Sequence, residues 1–151
     1  MEASAYPQAI REAFPGCNLE QTTERRLWLD VEPDHLLAAM HTVRGRLKLP
    51  HLCTIVAEDM RDHFLINYPF SDGPVTLTLR VKIDRERAEV PTLSNDLIGA
   101  IVYEREIHDL FGIVPVGHPD LCRQILPEDF PAGVYPMRKD VKMPRFGEEQ
   151  A

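Results

Sequence analysis

The sequence predicts an α+β fold: a mainly antiparallel sheet with helices packed on one face, followed by a long, ordered, Pro-rich C-terminal extension. Three observations carry this. The periodicities run helix, strand, helix, three strands, helix along the chain, an order that places helices together on a sheet. One strand, "VTLTLRVKI", alternates between apolar and polar residues along its length, as an antiparallel strand with one wet face does. Beyond Gly112 the pattern stops, and Pro115, Pro119, Pro127, Pro131, Pro136 and Pro144 follow; each fixes φ and removes a backbone donor.

The first helix opens at Pro7, suited to a first helical position. Ile10, Ala13 and Phe14 line one side, and Pro15-Gly16 ends it. In "RRLWLDV", Leu27, Leu29 and Val31 alternate with Trp28 and Asp30, which reads as a strand. The period then changes: Leu36, Met40, Val43 and Leu47 recur at i, i+4, i+7 and i+11, an amphipathic helix. Pro33 and Asp34 fit its first turn and Pro50 stops it. "HLCTIVAED" reads as one short strand, and "DHFLINYPF" and "VTLTLRVKI" flank the turn signal "SDGP". "DRERAEVPTLSND" reads as a polar connection, with Ser94 or Asn95 capping the next helix and Asp96 in its first turn.

The chain has 151 residues, enough for one domain. A domain of that size buries roughly 70% of the surface its unfolded chain exposes, so a core forms without disulfides. The formal net charge of -7 argues against general nucleic-acid binding, which needs a basic field. No apolar run approaches ~18 residues, so nothing spans a bilayer as a helix, and "MEASAYPQAIREAF" lacks the pattern of a signal peptide. A cytoplasmic location is expected. The 3 cysteines, Cys17, Cys53 and Cys122, are scattered; they read as free thiols, and iron–sulfur clusters need tighter sets of ligands.

The stretch "EREIHDLFG" places Glu104, Arg105, Glu106, His108 and Asp109 directly after an apolar helix pattern. On a helix, Leu97, Ile98, Ile101 and Val102 form a stripe, with Arg105, His108 and Asp109 within or beside it one or two turns on. Arg105 and Asp109 are spaced i, i+4, as are Glu104 and His108, within reach of each other. Either this is a solvated charged face, or the groups are buried and paired. The tail offers candidates for pairing: His118, Asp120 and Arg123 in "GHPDLCRQIL", and Arg138, Lys139 and Asp140 in "YPMRKD". The expectation is a tail that folds back so that its arginines meet Glu104, Glu106 or Asp109. Leu121, Ile125, Leu126, Phe130, Val134, Tyr135, Met137 and Phe146 make the tail too apolar for a disordered linker. It needs a surface to lie on.

These residues also carry a family resemblance. "EREIHDLFGIVPVGHPDLCRQIL" resembles the signature of the thirty-kilodalton family of respiratory complex I, its C-subunit family. Glu104, Arg105, Glu106, Asp109, Leu110, Phe111, His118 and Arg123 match it in order, and Pro136, Met137, Arg138, Lys139 and Asp140 match the family's following segment. His108 stands where the family often has an aromatic residue, Cys122 replaces an arginine and Met137 a leucine. "LPEDFPAGVYPMRKD" is similar to homologues in energy-converting nickel–iron hydrogenases of the Ech, CO-induced or formate-hydrogenlyase type.

The resemblance implies a non-catalytic bridging subunit of the hydrophilic arm, at the cytoplasmic face of the membrane. It would dock a hydrogenase-large-subunit-like chain and the iron–sulfur small subunit, touching the membrane only through them. It implies no cofactor on this chain, with the nickel–iron centre and iron–sulfur clusters on partner subunits. Residues 1–112 then form an α/β globular domain, and 113–151 an extended segment packing on it and on partners. Glu104, Arg105, Glu106, Asp109, His118, Arg123, Arg138, Lys139 and Asp140 are its structural and interface signature. Arg138, Lys139, Lys142 and Arg145 form a local basic patch that would meet an acidic partner surface. The C-subunit of NADH:quinone oxidoreductase (complex I) is the alternative. A stand-alone metal-dependent enzyme is a further one, since Glu104 and His108 are spaced i, i+4 with Asp109 and His118 nearby. The HExxH, paired CxxC, GxSxG, Walker A and GxGxxG patterns are all missing.

Overall fold

The computed structural model describes residues 2–142; Pro144, Arg145, Phe146 and Gly147 lie outside the described residues. Three α-helices, α1 (Tyr6–Ala13), α2 (Leu36–Gly45) and α3 (Ala100–Phe111), accompany eight strands: β1 (Leu19–Thr23), β2 (Arg26–Val31), β3 (His51–Leu52), β4 (Val56–Asp59), β5 (His63–Ser71), β6 (Thr76–Asp84), β7 (Glu89–Pro91) and β8 (Val114–Val116). The main sheet runs β1-β2-β6-β5-β3, with β4 also on β5. It is mixed and mostly antiparallel. The exception to the expected antiparallel pairing is β2 beside β6, which run parallel in register from Arg26↔Thr76 to Val31↔Val81.

The period-2 pattern places the core. Leu27, Leu29 and Val31 of β2, Leu77, Leu79, Val81 and Ile83 of β6, and Phe64, Ile66, Tyr68 and Phe70 of β5 are buried together with residues of all three helices. Alternate positions such as Trp28, Asp30 and Arg80 stay partly exposed on the other face. The expected strand "HLCTIVAED" is two strands. Four steps from Leu52 to Val56 face three on β5, from Phe70 to Asn67. The extra residue makes a bulge that splits the pairing. Strand β1 carries no sequence signal, because "LEQTT" is nearly all exposed and shows no alternation. Strands β7 and β8 pair in parallel, so the polar connection and the start of the tail are held side by side.

The first helix buries Tyr6 and Ile10, with Ala13 and Phe14 packed at the edge of the core. The Tyr6 hydroxyl donates to Asp72 Oδ2 at 2.8 Å. Burial, then the bond and charge of Asp72, push its phenol up to about 12. In α2, Leu36, Met40 and Val43 are buried as the spacing requires, and Leu47 is buried beyond the helix end. The third helix differs from expectation. It starts at Ala100, with no side-chain cap at Gly99. Ser94 and Asn95 do not cap it; they lie in a turn that leads to it. Its core side is Ala100, Glu104, Ile107 and Phe111, and Asp109 is buried as well, on the side of Val102; of the predicted apolar stripe Leu97 packs against the core, while Ile98 and Val102 face outward.

Candidate functional site

Helix α3 carries four signature residues, and the segment 113–142, here the strap, crosses it. Glu104 points into the fold at a position where a leucine would ordinarily sit. Its carboxylate accepts from the backbone N–H of Leu93 (2.6 Å) and from the hydroxyls of Thr92 and Ser94. Ser94, predicted as a helix cap, is thus a donor to a buried acid four to five residues into the helix. A buried carboxylate is tolerable only with such donors.

His118 closes this pocket from the strap side. The N–H of Asp120 donates to its Nδ1 at 3.1 Å. The ring proton therefore sits on Nε2, which donates to the carbonyl of Ile101 at 3.2 Å and faces the Glu104 carboxylate at 3.9 Å. Glu104 and His108, within reach by their spacing, do not pair; His108 Nδ1 instead donates to the carbonyl of Ile113 at 3.0 Å.

Arg105 and Asp109, also within reach by their spacing, do not pair either, because each reaches the strap separately. Arg105 donates through Nε to the carbonyl of Asp120 (2.8 Å) and through a terminal nitrogen to its carboxylate (2.6 Å). Asp109 accepts the successive N–H groups of Gln124 (2.7 Å), Ile125 (2.8 Å) and Leu126 (3.3 Å) on one oxygen. Consecutive N–H groups converging on an anion form a nest. Burial works against the charged form of Asp109. The three N–H bonds outweigh it, with a smaller pull from His108, and hold its carboxyl below the usual carboxylate range.

The tail arginines were expected to meet Glu104, Glu106 or Asp109. They bind carbonyls instead. Arg123 donates to Pro127 at 2.6 Å and to Glu128 at 3.3 Å. Arg138 donates through Nε to the carbonyl of Phe111 at 2.6 Å and lies over the rings of Phe64 and Tyr135, 5.2 and 4.5 Å from their centroids. The last carbonyls of a helix lack intrahelical partners. Here the strap supplies them, since the N–H of Met137 also donates to the carbonyl of Leu110 at 3.1 Å. The helix ends on Gly112 with φ +70°, and a Cβ there would lie 2.5 Å from the Tyr135 ring. Only glycine meets both conditions.

The far end of the strap docks on a centre that the spacing of residues did not suggest. Asp59 of β4 is buried and accepts from Arg85, from the N–H of Arg61 (2.7 Å) and from the N–H of Lys139 (2.8 Å). Arg85 reaches onward to Asp140 at 2.5 Å and lies 5.1 Å from the centroid of Phe64. Burial opposes ionisation of Asp59, and Arg85 with the two N–H groups overcomes it, holding the carboxyl well below its usual range. Asp140 thus belongs to an ion pair, while Lys139 contributes its backbone. The signal that could have found this centre is parity: Asp59 stands two residues after Ala57 on the inward face of a strand, where an acid requires a partner. Glu106, half-exposed, and the exposed side chain of Lys139 pair with nothing among the described residues.

All the signature residues but Glu106 thus converge on one structure, the strap fastened to α3 and to β4. Of the residues of the metal reading only Glu104 and His118 come together, at 3.9 Å, while His108 and Asp109 turn to other partners. Among the described residues no group of three or more His, Cys, Asp or Glu is placed to hold a metal ion. No described helix is long and apolar enough to cross a membrane.

Comparison with known proteins identifies the family of the chain. The profile of the family described as "Respiratory-chain NADH dehydrogenase, 30 Kd subunit" matches residues 29–146. Formate hydrogenlyase subunit 5 of Escherichia coli is 32% identical over 143 residues, 89% of this chain but 25% of that protein, so the chain spans a quarter of that relative's length. The C-subunit of NADH-quinone oxidoreductase from Moorella thermoacetica is 32% identical over 95% of this chain and 98% of its own. The C-subunit of F(420)H(2) dehydrogenase from Methanosarcina mazei is 32% identical over 89% and 84%. A chain of the membrane-bound sulfane sulfur reductase, an archaeal respiratory membrane complex, shares the fold with a TM-score of 0.81 at 24% identity, over 96% of this chain and 95% of that one. With its signature helix, its strap and a profile match over most of its length, the chain belongs to the thirty-kilodalton subunit family of the respiratory-chain NADH dehydrogenase, whose relatives include subunits of hydrogenases and of NADH-quinone oxidoreductases.

Proposed function

We propose that this chain is a non-catalytic bridging subunit in the hydrophilic arm of a membrane-bound, energy-converting nickel–iron hydrogenase. It docks a hydrogenase-large-subunit-like chain and the iron–sulfur small subunit, at the cytoplasmic face of the membrane. The observation that carries this is the internal use of the signature: Glu104, Arg105, Asp109, His118, Arg123, Arg138 and Asp140 all bind groups within this chain. Such groups shape a surface; they are not poised for a substrate. The nickel–iron centre and iron–sulfur clusters then reside on partners, and the strap, 113–142, packs on the domain and on them. The relative in which the matching region is a quarter of a longer polypeptide supports a large partner, since there further chain is tethered to this fold.

A second reading is the C-subunit of an NADH:quinone oxidoreductase, favoured by the Moorella relative that matches along 98% of its length. Purification from the native host in mild detergent, through a tag on this chain, separates the two. Nickel with hydrogen-dependent activity in the complex supports the hydrogenase. Flavin with NADH oxidation supports the second reading. Recovery as a free monomer, or turnover by the isolated chain, would defeat both.

A further inference from the structure

We infer that the end of the sheet where β2 and β6 begin, with the turn that follows α2, is a cationic face that docks a carboxylate-bearing surface of a partner chain. This rests on the proposed place of the chain within a larger complex. The sequence already sets the face apart. The chain carries 24 acidic residues, yet residues 35–57 hold none, the longest acid-free run it has, and they include Arg44, Arg46, Lys48 and His51.

The fold gathers these groups at one end. Arg26 stands opposite Thr76, Thr76 opposite Ser71 and Ser71 opposite His51, so one row crosses β2, β6, β5 and β3. Residues opposite each other share a face of the sheet, and steps of ~4.8 Å put Arg26 and His51 roughly 14 Å apart. The carbonyl of Arg25 accepts from the N–H of Thr76 at 2.8 Å, which ties Arg25 to the same row. Arg44 Nε donates to the carbonyl of Pro50 at 3.3 Å, next to His51, and Arg46 and Lys48 lie in the segment between them. Five cations, Arg25, Arg26, Arg44, Arg46 and Lys48, share this end with two acids, Glu24 and Asp72. Asp72 is already occupied by the Tyr6 hydroxyl and the N–H of Val75.

The fold does not use these charges. Arg80, Arg85, Arg87 and Arg105 each hold an acid within the chain. Arg25, Arg26, Arg46 and Lys48 are exposed and pair with no acid among the described residues. Lys48 also stands at φ +59° just past the end of α2, a position where glycine is the usual residue because a Cβ is strained there. The chain keeps a cationic side chain against that preference.

The opposite end has the opposite sign. β2 and β6 run parallel, so both finish there, and Glu32, Asp34, Asp62, Asp84, Glu86 and Glu89 outnumber Arg61, Lys82 and Arg87 around it. A chain of net charge -7 that is positive at one end attracts an acidic partner there and repels it at the other. The occupant follows from the kind of cation and from what lies beside it. Four of the five are arginines, whose planar fork matches a carboxylate. A membrane-surface site sets apolar side chains beside its charges, to enter the acyl boundary. Of the large apolar side chains exposed among the described residues, none lies within 24–26 or 44–51. The occupant is therefore an acidic protein surface.

The test is purification of the intact complex through a tag on this chain. Wild type is compared with Arg25→Glu/Arg26→Glu, with Arg46→Glu/Lys48→Glu and with a Glu32→Lys/Glu86→Lys control at the acidic end. Each reversal at the cationic end should recover roughly tenfold less partner chain, and the control should recover wild-type amounts. Thermal melting of each free variant should match wild type, because the altered side chains are exposed. If a variant melts early, the wild-type complex decides: zero-length carbodiimide coupling should join the Lys48 amine to an Asp or Glu of a partner chain, mapped by mass spectrometry. Full partner recovery by folded reversal variants, equal loss in the control, or no coupling of Lys48 to a partner carboxylate overturns the face assignment and leaves the bridging reading standing. Coupling of Lys48 to the acidic end of a second copy also overturns it. So does sedimentation of the free chain with phosphatidylglycerol vesicles that the same reversals abolish, which would give the face to a membrane. Wild type recovered without any partner overturns both readings.

Discussion

The sheet with α1 and α2, and the strap with α3, are held by opposite means. The first is a set of apolar side chains, Leu27, Leu29, Leu36, Met40, Phe70, Leu77 and Leu79 among them, buried together. Its energy is non-directional and scales with area, roughly 25 cal/mol per Å². The second buries acids and satisfies each with donors from elsewhere in the chain. Glu104 takes donors from residues 92–94, Asp109 from 124–126, Asp59 from 61, 85 and 139. Hydrogen bonds are directional, so here the identity of each residue matters, where in the sheet mainly its size does. An apolar core can be assembled from many sequences; a strap fixed by buried carboxylates requires given residues at given places, and therefore reads as a motif.

The largest expected effect comes from the centre of the polar region. Glu104→Ala strands the N–H of Leu93 and two hydroxyls in the interior, and should destabilise by about 3–5 kcal/mol in urea unfolding. That equals or exceeds Leu79→Ala in the sheet, at about 2–5 kcal/mol. A cost for Glu104→Ala below about 1 kcal/mol would erase the contrast between the two regions.

Next is Gly112→Ala. It forces a side chain into the left-handed region and against Tyr135, at about 1–3 kcal/mol. Because Tyr135 and Arg138 sit directly above, amides 137–139 should lose hydrogen-exchange protection while those of β5 and β6 keep it. Equal loss in both regions would mean that strap and sheet open as one unit.

Acid should separate the regions in the same order. Asp59 and Asp109 are held below the usual carboxylate range in the folded state, so the unfolded chain binds more protons as pH falls past about 3.9. Their contribution is present above that pH and is lost as pH falls through the lower folded-state values. Amides 124–126 and 139 should therefore open below about pH 4 before the sheet does, as NMR amide exchange would show. Asp59→Asn should make amide 139 exchange fast even at pH 7; persistence of its protection would deny Asp59 its role as anchor.

The smallest effect is expected at a signature position. The side chain of Lys139 is exposed and only its N–H is used, so Lys139→Ala should shift stability by less than about 0.5 kcal/mol in the same unfolding assay.

Much of this is legible in the sequence because it depends on local pattern. Alternation at Leu77, Leu79, Val81 and Ile83 locates β6, and the i, i+4, i+7 spacing of Leu36, Met40 and Val43 locates α2. The family signature picks out the residues that build the strap. Local rules mislead where they meet a distant partner. Ser94 reads as a helix cap by its neighbours, yet its hydroxyl serves Glu104 from outside the helix. Ile98 and Val102 read as core by spacing, yet they face outward, because Ala100, Ile107 and Phe111 pack into the core and Glu104 binds residues 92–94, which makes the opposite side of α3 the inner one. Arg105 and Asp109 read as an i, i+4 pair, yet the strap offers each a better partner than the other.

By itself the sequence determined the α+β class, the periods of the main helices and strands and the set of polar residues that would need one another. Those properties follow from side-chain spacing along one element. The tertiary structure alone decided which face of α3 turned inward, that β2 and β6 run parallel, and that Asp59 and Arg85 receive the end of the strap. Each of these is settled between residues far apart in the chain. There the cost of an unsatisfied buried charge outweighs the modest preference of any local pattern.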